Sequence, residues 1–152
     1  MDFKEVVRKR RSTRRYTGKP VELEKLRSAM ELALLAPSSK NTRSTRLMAV
    51  TNLDKVHALG RLRDWGSSLL EEAGAAIIIL GDKEASPMWE INAALMANTL
   101  QLALVDEGLA SCWVHVGGRP RLQKEPEGEQ AEEYLRSFLD IPSEWSIECV
   151  VA

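Results

Sequence analysis

Arg10, Ser12 and Arg14 alternate along a run that reads Arg8-Lys9-Arg10-Arg11-Ser12-Thr13-Arg14-Arg15-Tyr16 and contains no acid. Arginine presents its donors in a planar fork and keeps its charge at physiological pH, which suits it to phosphate. In an extended segment these three side chains point one way, and Arg11 and Arg15 point the other. A phosphate grip is therefore one use of the run. A solvated basic face and a contact to a nucleic-acid backbone are the others. Against the last, Tyr16 is the single aromatic among the arginines, and no nucleic-acid-binding motif follows. A second polar segment, Ala36-Pro37-Ser38-Ser39-Lys40-Asn41, offers Ser38, Ser39 and Asn41 either to a polyhydroxylated chain or to an ordinary turn. In a third, Ser111-Cys112-Trp113-Val114-His115, Trp113 and His115 alternate on a candidate strand. They could wall a flat aromatic ligand, with backbone N–H groups beside it, or form a core tryptophan next to a satisfied histidine. No serine has a neighbouring base, so serine-based hydrolysis is unsupported. No P-loop, glycine-rich dinucleotide fingerprint or metal motif occurs.

The elements between these segments must position them. Asp2 can cap a helix from Phe3 to Lys9, with Val6 and Val7 turned inward. Leu23, Leu26, Met30, Ala33 and Leu34 give Glu22 to Leu35 one apolar face, and Pro37 stops that helix. Leu47 to Thr51 reads as a short strand, Leu53 to Arg63 as helical, with His57 exposed on it, and Leu69 to Ala73 as a helical turn ended by Gly74. Ala75 to Leu80 is an unbroken apolar run, the pattern of a strand buried on both faces. Met88 to Val105 is the longest helix, with Pro87 suited to its first turn, and it is apolar almost all round. One side of it needs cover from beyond its own core, so it is expected to be shared with a homodimer interface. A strand at Ser111 to Val116, a helix at Ala131 to Leu139 and a last strand at Ser146 to Val151 complete the chain.

Composition bounds the function. With 152 residues, 44% hydrophobic and 28% charged, the chain is expected to form one globular domain. Net charge is −1, which excludes the whole molecule as a polyanion binder, although acids gather between Glu125 and Glu148 and bases near the start. Cys112 and Cys149 have no ligand-type spacing and are expected as reduced thiols of a cytoplasmic protein without zinc. No secretory signal and no membrane span are expected.

Taken in order, these segments resemble the FMN-dependent nitroreductase family. Arg10 to Tyr16 is similar to that family's opening R-[RH]-S-x-[RK]-x-[FY] motif, and Ala36 to Asn41 to its A-P-S-[SA]-x-N loop. Gly108-Leu109-Ala110-Ser111-Cys112-Trp113 resembles its G-L-G-[ST]-x-x stretch. Leu139-Asp140-Ile141-Pro142 and Cys149-Val150-Val151-Ala152 resemble its L-x-I-P and following strand. The resemblance covers nearly the whole chain. It implies an α+β fold with a mixed, mostly antiparallel sheet flanked by helices, and a homodimer with FMN at the subunit interface. It implies that Arg10 and Ser12 grip the FMN phosphate with Arg11 close by, and that Arg14 sits beside the ring edge and favours its reduced, anionic form. Pro37, Ser38, Ser39 and Asn41 would reach the cofactor from the partner subunit. Trp113, Val114 and His115 would line the ring, one of their N–H groups facing N5, and Asn92 would approach from the long helix. The implied activity is a ping-pong oxidoreduction, from NADH or NADPH through FMN to a nitroaromatic, quinone or similar acceptor. A non-catalytic flavin or nucleotide binder on the same fold is the alternative.

The chain departs from the family in two places. Thr42-Arg43-Ser44-Thr45 stands where members often continue x-Q-P-W or x-R-P-W, so the pocket rim and the acceptor preference are expected to differ. The sequence also stops at Ala152, where members usually run on into a tail with basic residues and an arm around the partner. Each missing charge-assisted phosphate contact would weaken FMN binding by roughly 1.5–3 kcal/mol.

Overall fold

The apolar run after Gly74 becomes the centre of the molecule. In chain order the elements are α1 (Phe3–Lys9), α2 (Leu23–Ala33), β1 (Thr45–Val50), α3 (Leu53–Ala58), β2 (Ala76–Gly81), α4 (Trp89–Asp106), β3 (Trp113–His115), α5 (Ala131–Leu139) and β4 (Ser146–Val151). The structure, a computed structural model, describes residues 1–152. The four strands form one sheet in the order β1-β2-β4-β3, and every ladder is antiparallel. The one parallel contact between extended segments is an isolated bridge joining Ser12 to Ser111. The expected α+β class, a largely antiparallel sheet flanked by helices, is what this chain forms.

Every residue of β2 is buried, because helices cover both faces of the sheet. Ile78 and Leu80 face Val56, Leu59 and Leu62 from the α3 region and Leu135 of α5. Ile77 and Ile79 face Leu26 and Ala29 of α2 and Met96, Leu100 and Leu104 of α4. Complete burial of one such side chain contributes about 1.5–3 kcal/mol. Alternation along β4 is broken by a bulge between its pairings with Ile79 and Leu80, which leaves Glu148 as the extra residue. Ile147 consequently shares a face with Val150, while Cys149 and Val151 take the other.

Local chemistry explains the boundaries. The Asp2 carboxylate accepts the Glu5 N–H at 2.9 Å and starts α1. Asn52 caps α3 by accepting the Lys55 N–H at 3.0 Å. Only the first half of Leu53–Arg63 is α-helical; Leu59–Arg61 tightens to a 3₁₀ turn, with Gly60 lying under the Glu71 side chain. Gly74 passes so close to the Lys19 carbonyl that a Cβ there would collide with backbone. Met88 rather than Pro87 borders α4, so the proline lies just outside the helix. His57 is half-buried rather than exposed, with its Nε2 3.2 Å from the Ala73 carbonyl. Val7 is exposed although Val6 is buried, and Phe3 of α1 and Ile91 and Leu95 of α4 are exposed as well. No helix is long and apolar enough to cross a membrane.

Candidate functional site

β3 lies at the edge of the sheet, and this decides which of its groups are free. Cys112 and Ala152 exchange both backbone hydrogen bonds at 3.0 Å, and the Val116 N–H donates to the Glu148 carbonyl. Alternation in an antiparallel ladder then turns the N–H and C=O of Val114 toward β4 and those of Trp113 and His115 toward the open edge. The Val114 side chain is in the core, 1% exposed, so it contributes no wall to a ligand site.

The basic segment is sewn to the same edge. The Thr13 N–H donates to the Ser111 carbonyl at 3.0 Å, which forms the parallel bridge and brings Ser12 and Arg14 beside Cys112. Tyr16 closes the segment: its hydroxyl donates to the Thr13 carbonyl at 2.6 Å, and burial pushes its pKa up. Burial also raises the Cys112 thiol, against the opposing pull of Arg14, a hydrogen bond from Ser12, and Arg10. Cys112 therefore stays a thiol rather than a nucleophilic thiolate.

Beside this edge opens a cleft of about 880 Å³ whose walls include Arg14, Cys112, Trp113 and His115. That volume is in the range of small-molecule sites. Trp113 and His115 stack with centroids 6.1 Å apart, and the indole Nε1–H donates to His115 Nδ1 at 3.2 Å. An accepting Nδ1 puts the proton of the neutral ring on Nε2. Burial, with Arg119 next in weight, lowers the His115 pKa, so the ring is neutral near pH 7. A smaller, mainly apolar hollow of about 320 Å³ lies between Leu26, Ile77 and Leu109, with the hydrogen-bonded Tyr16 at its wall.

Several expected site residues are placed differently. Arg11 does not turn toward the grip: its Nη1 donates to the carbonyls of Arg8 and Arg10, both at 2.7 Å, and caps the end of α1. Arg15, expected on the far side from Arg14, lines the cleft with it. Asn92 is 2% exposed and does not line the cleft. Its Oδ1 accepts the Ser39 N–H at 2.9 Å, and its Nδ2 donates to Ser44 Oγ at 3.0 Å. Asn92 is thus the anchor of the polar loop. Pro37, Ser38, Ser39 and Asn41 are absent from the cleft walls of their own chain. Their loop is instead wound tightly, with Lys40, Asn41 and Arg43 all at positive φ (52°, 52° and 48°). Backbone of this kind is costly outside glycine and collects at functional sites.

Arg63 and Trp65 also line the cleft, and motif reading missed them. The signal available was a tryptophan directly before Gly66 in a charged segment, a weak one because surface aromatics beside turns are common. Groups of His, Cys, Asp or Glu able to hold a metal are absent.

Comparison with known proteins agrees with this geometry. The sequence profile of the nitroreductase family matches residues 7–65 and 54–152. The solved structure of an FMN-dependent nitroreductase from Clostridium difficile R20291 is 36% identical and superposes with a TM-score of 0.89, over 97% of this chain and 83% of that one. A Desulfovibrio desulfuricans nitroreductase structure in complex with FMN superposes at 0.74, over 97% of this chain and 82% of that one; at 24% identity this likeness speaks for the fold alone. A protein of Archaeoglobus fulgidus, provisionally named NADH dehydrogenase/NAD(P)H nitroreductase, is 26% identical over 94% of this chain and 79% of its own length. The aligned segments span 62% or less of the other curated relatives. The chain belongs to the nitroreductase family, which places it among the oxidoreductases.

Proposed function

We propose that residues 1–152 act as one FMN-binding oxidoreductase domain that works as a homodimer in the cytoplasm. The observation that carries the reading is the open edge of β3, where the N–H groups of Trp113 and His115 are free beside Arg14 and the Arg10–Ser12 segment. A flat ring carrying a phosphate fits these groups. Arg10 has no ion pair or side-chain hydrogen bond within the chain, and Ser12 is exposed, so both are available to a phosphate. Arg14 is exposed, with one long bond of 3.3 Å to the Ser12 carbonyl, and is available to a ring edge. The 36% identical Clostridium difficile relative is named FMN-dependent, which supports the same cofactor here.

The chemistry FMN supplies when bound is two-electron exchange in a ping-pong cycle, taken as hydride from NADH or NADPH and passed to an electron-poor acceptor such as a nitroaromatic or quinone. The protein's own contribution is positional and electrostatic. Arg14 holds a fixed positive charge where negative charge grows, which favours reduction. The edge N–H groups of Trp113 and His115 orient the ring, and the neutral His115 keeps Trp113 in place through Nδ1. The buried, protonated Cys112 thiol offers no competing nucleophile.

Two observations favour the dimer. The large apolar side chains of Phe3, Val7, Ile91 and Leu95 are each exposed in a single chain. The loop Pro37–Asn41 is held rigidly by Asn92 yet stands away from its own chain's cleft, so a second copy would present it there.

The test is an absorption spectrum of the purified protein supplemented with FMN, followed by anaerobic titration with NADH and then NADPH. We expect a retained flavin band that bleaches with one or both donors and returns on adding menadione. A protein that retains no flavin refutes the reading. A flavin band that neither donor bleaches makes the protein a non-catalytic binder.

A further inference from the structure

The apolar hollow of about 320 Å³ is built asymmetrically. Its walls come from Leu26 of α2, Ile77 of β2, Leu104 of α4 and Val151 of β4, all buried, with Leu109 just beyond the end of α4. Its polar side chains come from one stretch alone, residues 15–19. Tyr16 is the one aromatic residue lining it, and no acid lines it. Apolar walls with empty space between them lack partners for dispersion contacts, and such a space is poorly hydrated. An apolar guest restores those contacts.

The polar border is held in place. Gly18 makes a turn at φ +72°, and its N–H donates to the Glu72 carbonyl at 3.0 Å. The Lys19 carbonyl rests against Gly74, where a Cβ would strike it. The Lys19 N–H donates to the Thr17 hydroxyl at 3.3 Å. The Tyr16 hydroxyl is directed at the carbonyls of Thr13 and Ala152, at 2.6 and 3.3 Å. Those groups are already engaged. Arg15 and Lys19 are not: both are exposed, and neither side chain forms an ion pair or a hydrogen bond within the chain. An aliphatic hollow bordered by two free cations and no acid is complementary to an anion with an apolar tail. Walls that are aliphatic apart from Tyr16 favour an alkyl chain over a stacked ring.

We propose that the hollow binds a medium-chain aliphatic carboxylate, its chain among Leu26, Ile77, Leu104 and Leu109 and its carboxylate at Lys19 and Arg15. A volume of about 320 Å³ lies at the small end of ligand sites and limits the length of chain. The inference goes beyond the oxidoreductase reading, because the hollow is separate from the cleft and shares Arg15 alone with it. Lys19 is therefore the cleaner probe of the charge.

Calorimetric titration tests it, with the straight-chain acids from butanoate to dodecanoate, octanamide as the uncharged analogue and benzoate as the aromatic one. Affinity should rise about fourfold with each methylene and stop rising once the chain outgrows the hollow. Octanoate should bind about fivefold more tightly than octanamide, the upper scale of an exposed ion pair. Lys19→Gln should remove most of that preference and leave the dependence on chain length. Leu109→Trp, which fills the hollow, should abolish binding of every acid. Should Leu109→Trp fail to fold, Ala110→Trp, at an exposed position of the wall, takes its place. Absence of saturable octanoate binding, binding unchanged in the folded tryptophan variant, or affinity that climbs through dodecanoate without levelling overturns the site. Equal affinity for octanoate and octanamide, or benzoate bound as tightly as octanoate, overturns the ligand class. The titration needs no flavin, so a failed flavin reading shows in the absorption spectrum and a failed proposal shows in the binding series.

Discussion

The basic segment Arg10–Arg15 and the loop Ser38–Arg43 are both rich in polar groups, yet the fold treats them in opposite ways. The basic segment is tied by its backbone, through Thr13 and Ser111, and most of its side chains are left free. The loop is tied by side chains, through Asn92 and the Ser38 hydroxyl, which accepts the Arg43 N–H at 3.0 Å, and its backbone is held at positive φ. One region presents side-chain cations at a cleft. The other presents a shaped backbone away from that cleft. Residues of similar polarity thus become a binding surface or a rigid presenter, according to which of their groups the rest of the chain has already engaged.

Removing the loop's anchor should have the largest effect. Asn92→Leu strands the buried Ser44 hydroxyl, at about 1–3 kcal/mol, and removes the acceptor of the half-buried Ser39 N–H. Urea denaturation should reveal that loss, and limited trypsin digestion should cut first at Lys40 or Arg43. A variant as stable and as protease-resistant as wild type would break the comparison, because the loop would not depend on Asn92.

Substitutions in the basic segment should change binding and rate rather than folding. Arg10→Ala should weaken FMN retention by about ten- to a hundredfold, measured by fluorescence titration, with the melting temperature little changed. An unaltered dissociation constant would remove Arg10 from the phosphate grip. Arg14→Ala should slow stopped-flow reduction of the flavin by NAD(P)H by more than it weakens FMN binding. If reduction is unchanged, the electrostatic role given to Arg14 is wrong.

The smallest effect concerns His115. Its pKa is lowered in the folded protein, so folding favours the neutral ring. Its stabilising contribution is present above the unfolded value of about 6.5 and is lost as pH falls through the folded value. The melting temperature of wild type should therefore drop more than that of His115→Gln between about pH 7 and pH 5. Parallel curves would show that burial in the fold does not hold His115 neutral.

Much of the fold was legible from local pattern. The Asp2 cap, the bounds of α1, α5 and β4, and the two-sided burial of β2 all follow from neighbours within a few residues. The extended run that carries Arg10, Ser12 and Arg14 was legible for the same reason, since alternation in such a segment is a local property. Arg11 and Asn92 were misread because each side chain is engaged by carbonyls or hydroxyls whose positions depend on a turn or on a helix packing elsewhere. Arg63 and Trp65 escaped notice because nothing beside them in the chain marks a cleft; its opposite wall, Trp113 and His115, lies far along the sequence.

Residue types, caps and apolar periodicity set the helices, the central strand, the family resemblance and the chemical character of the site, because each depends on short-range sterics and burial. The bulge at Glu148, the edge position of β3 that frees the Trp113 and His115 N–H groups, the capture of Ser39 by Asn92 and the meeting of Arg63 and Trp65 with Trp113 and His115 around one cleft were settled by packing. Such contacts join residues remote in sequence, and which donors remain free is known only after every other donor has found its partner.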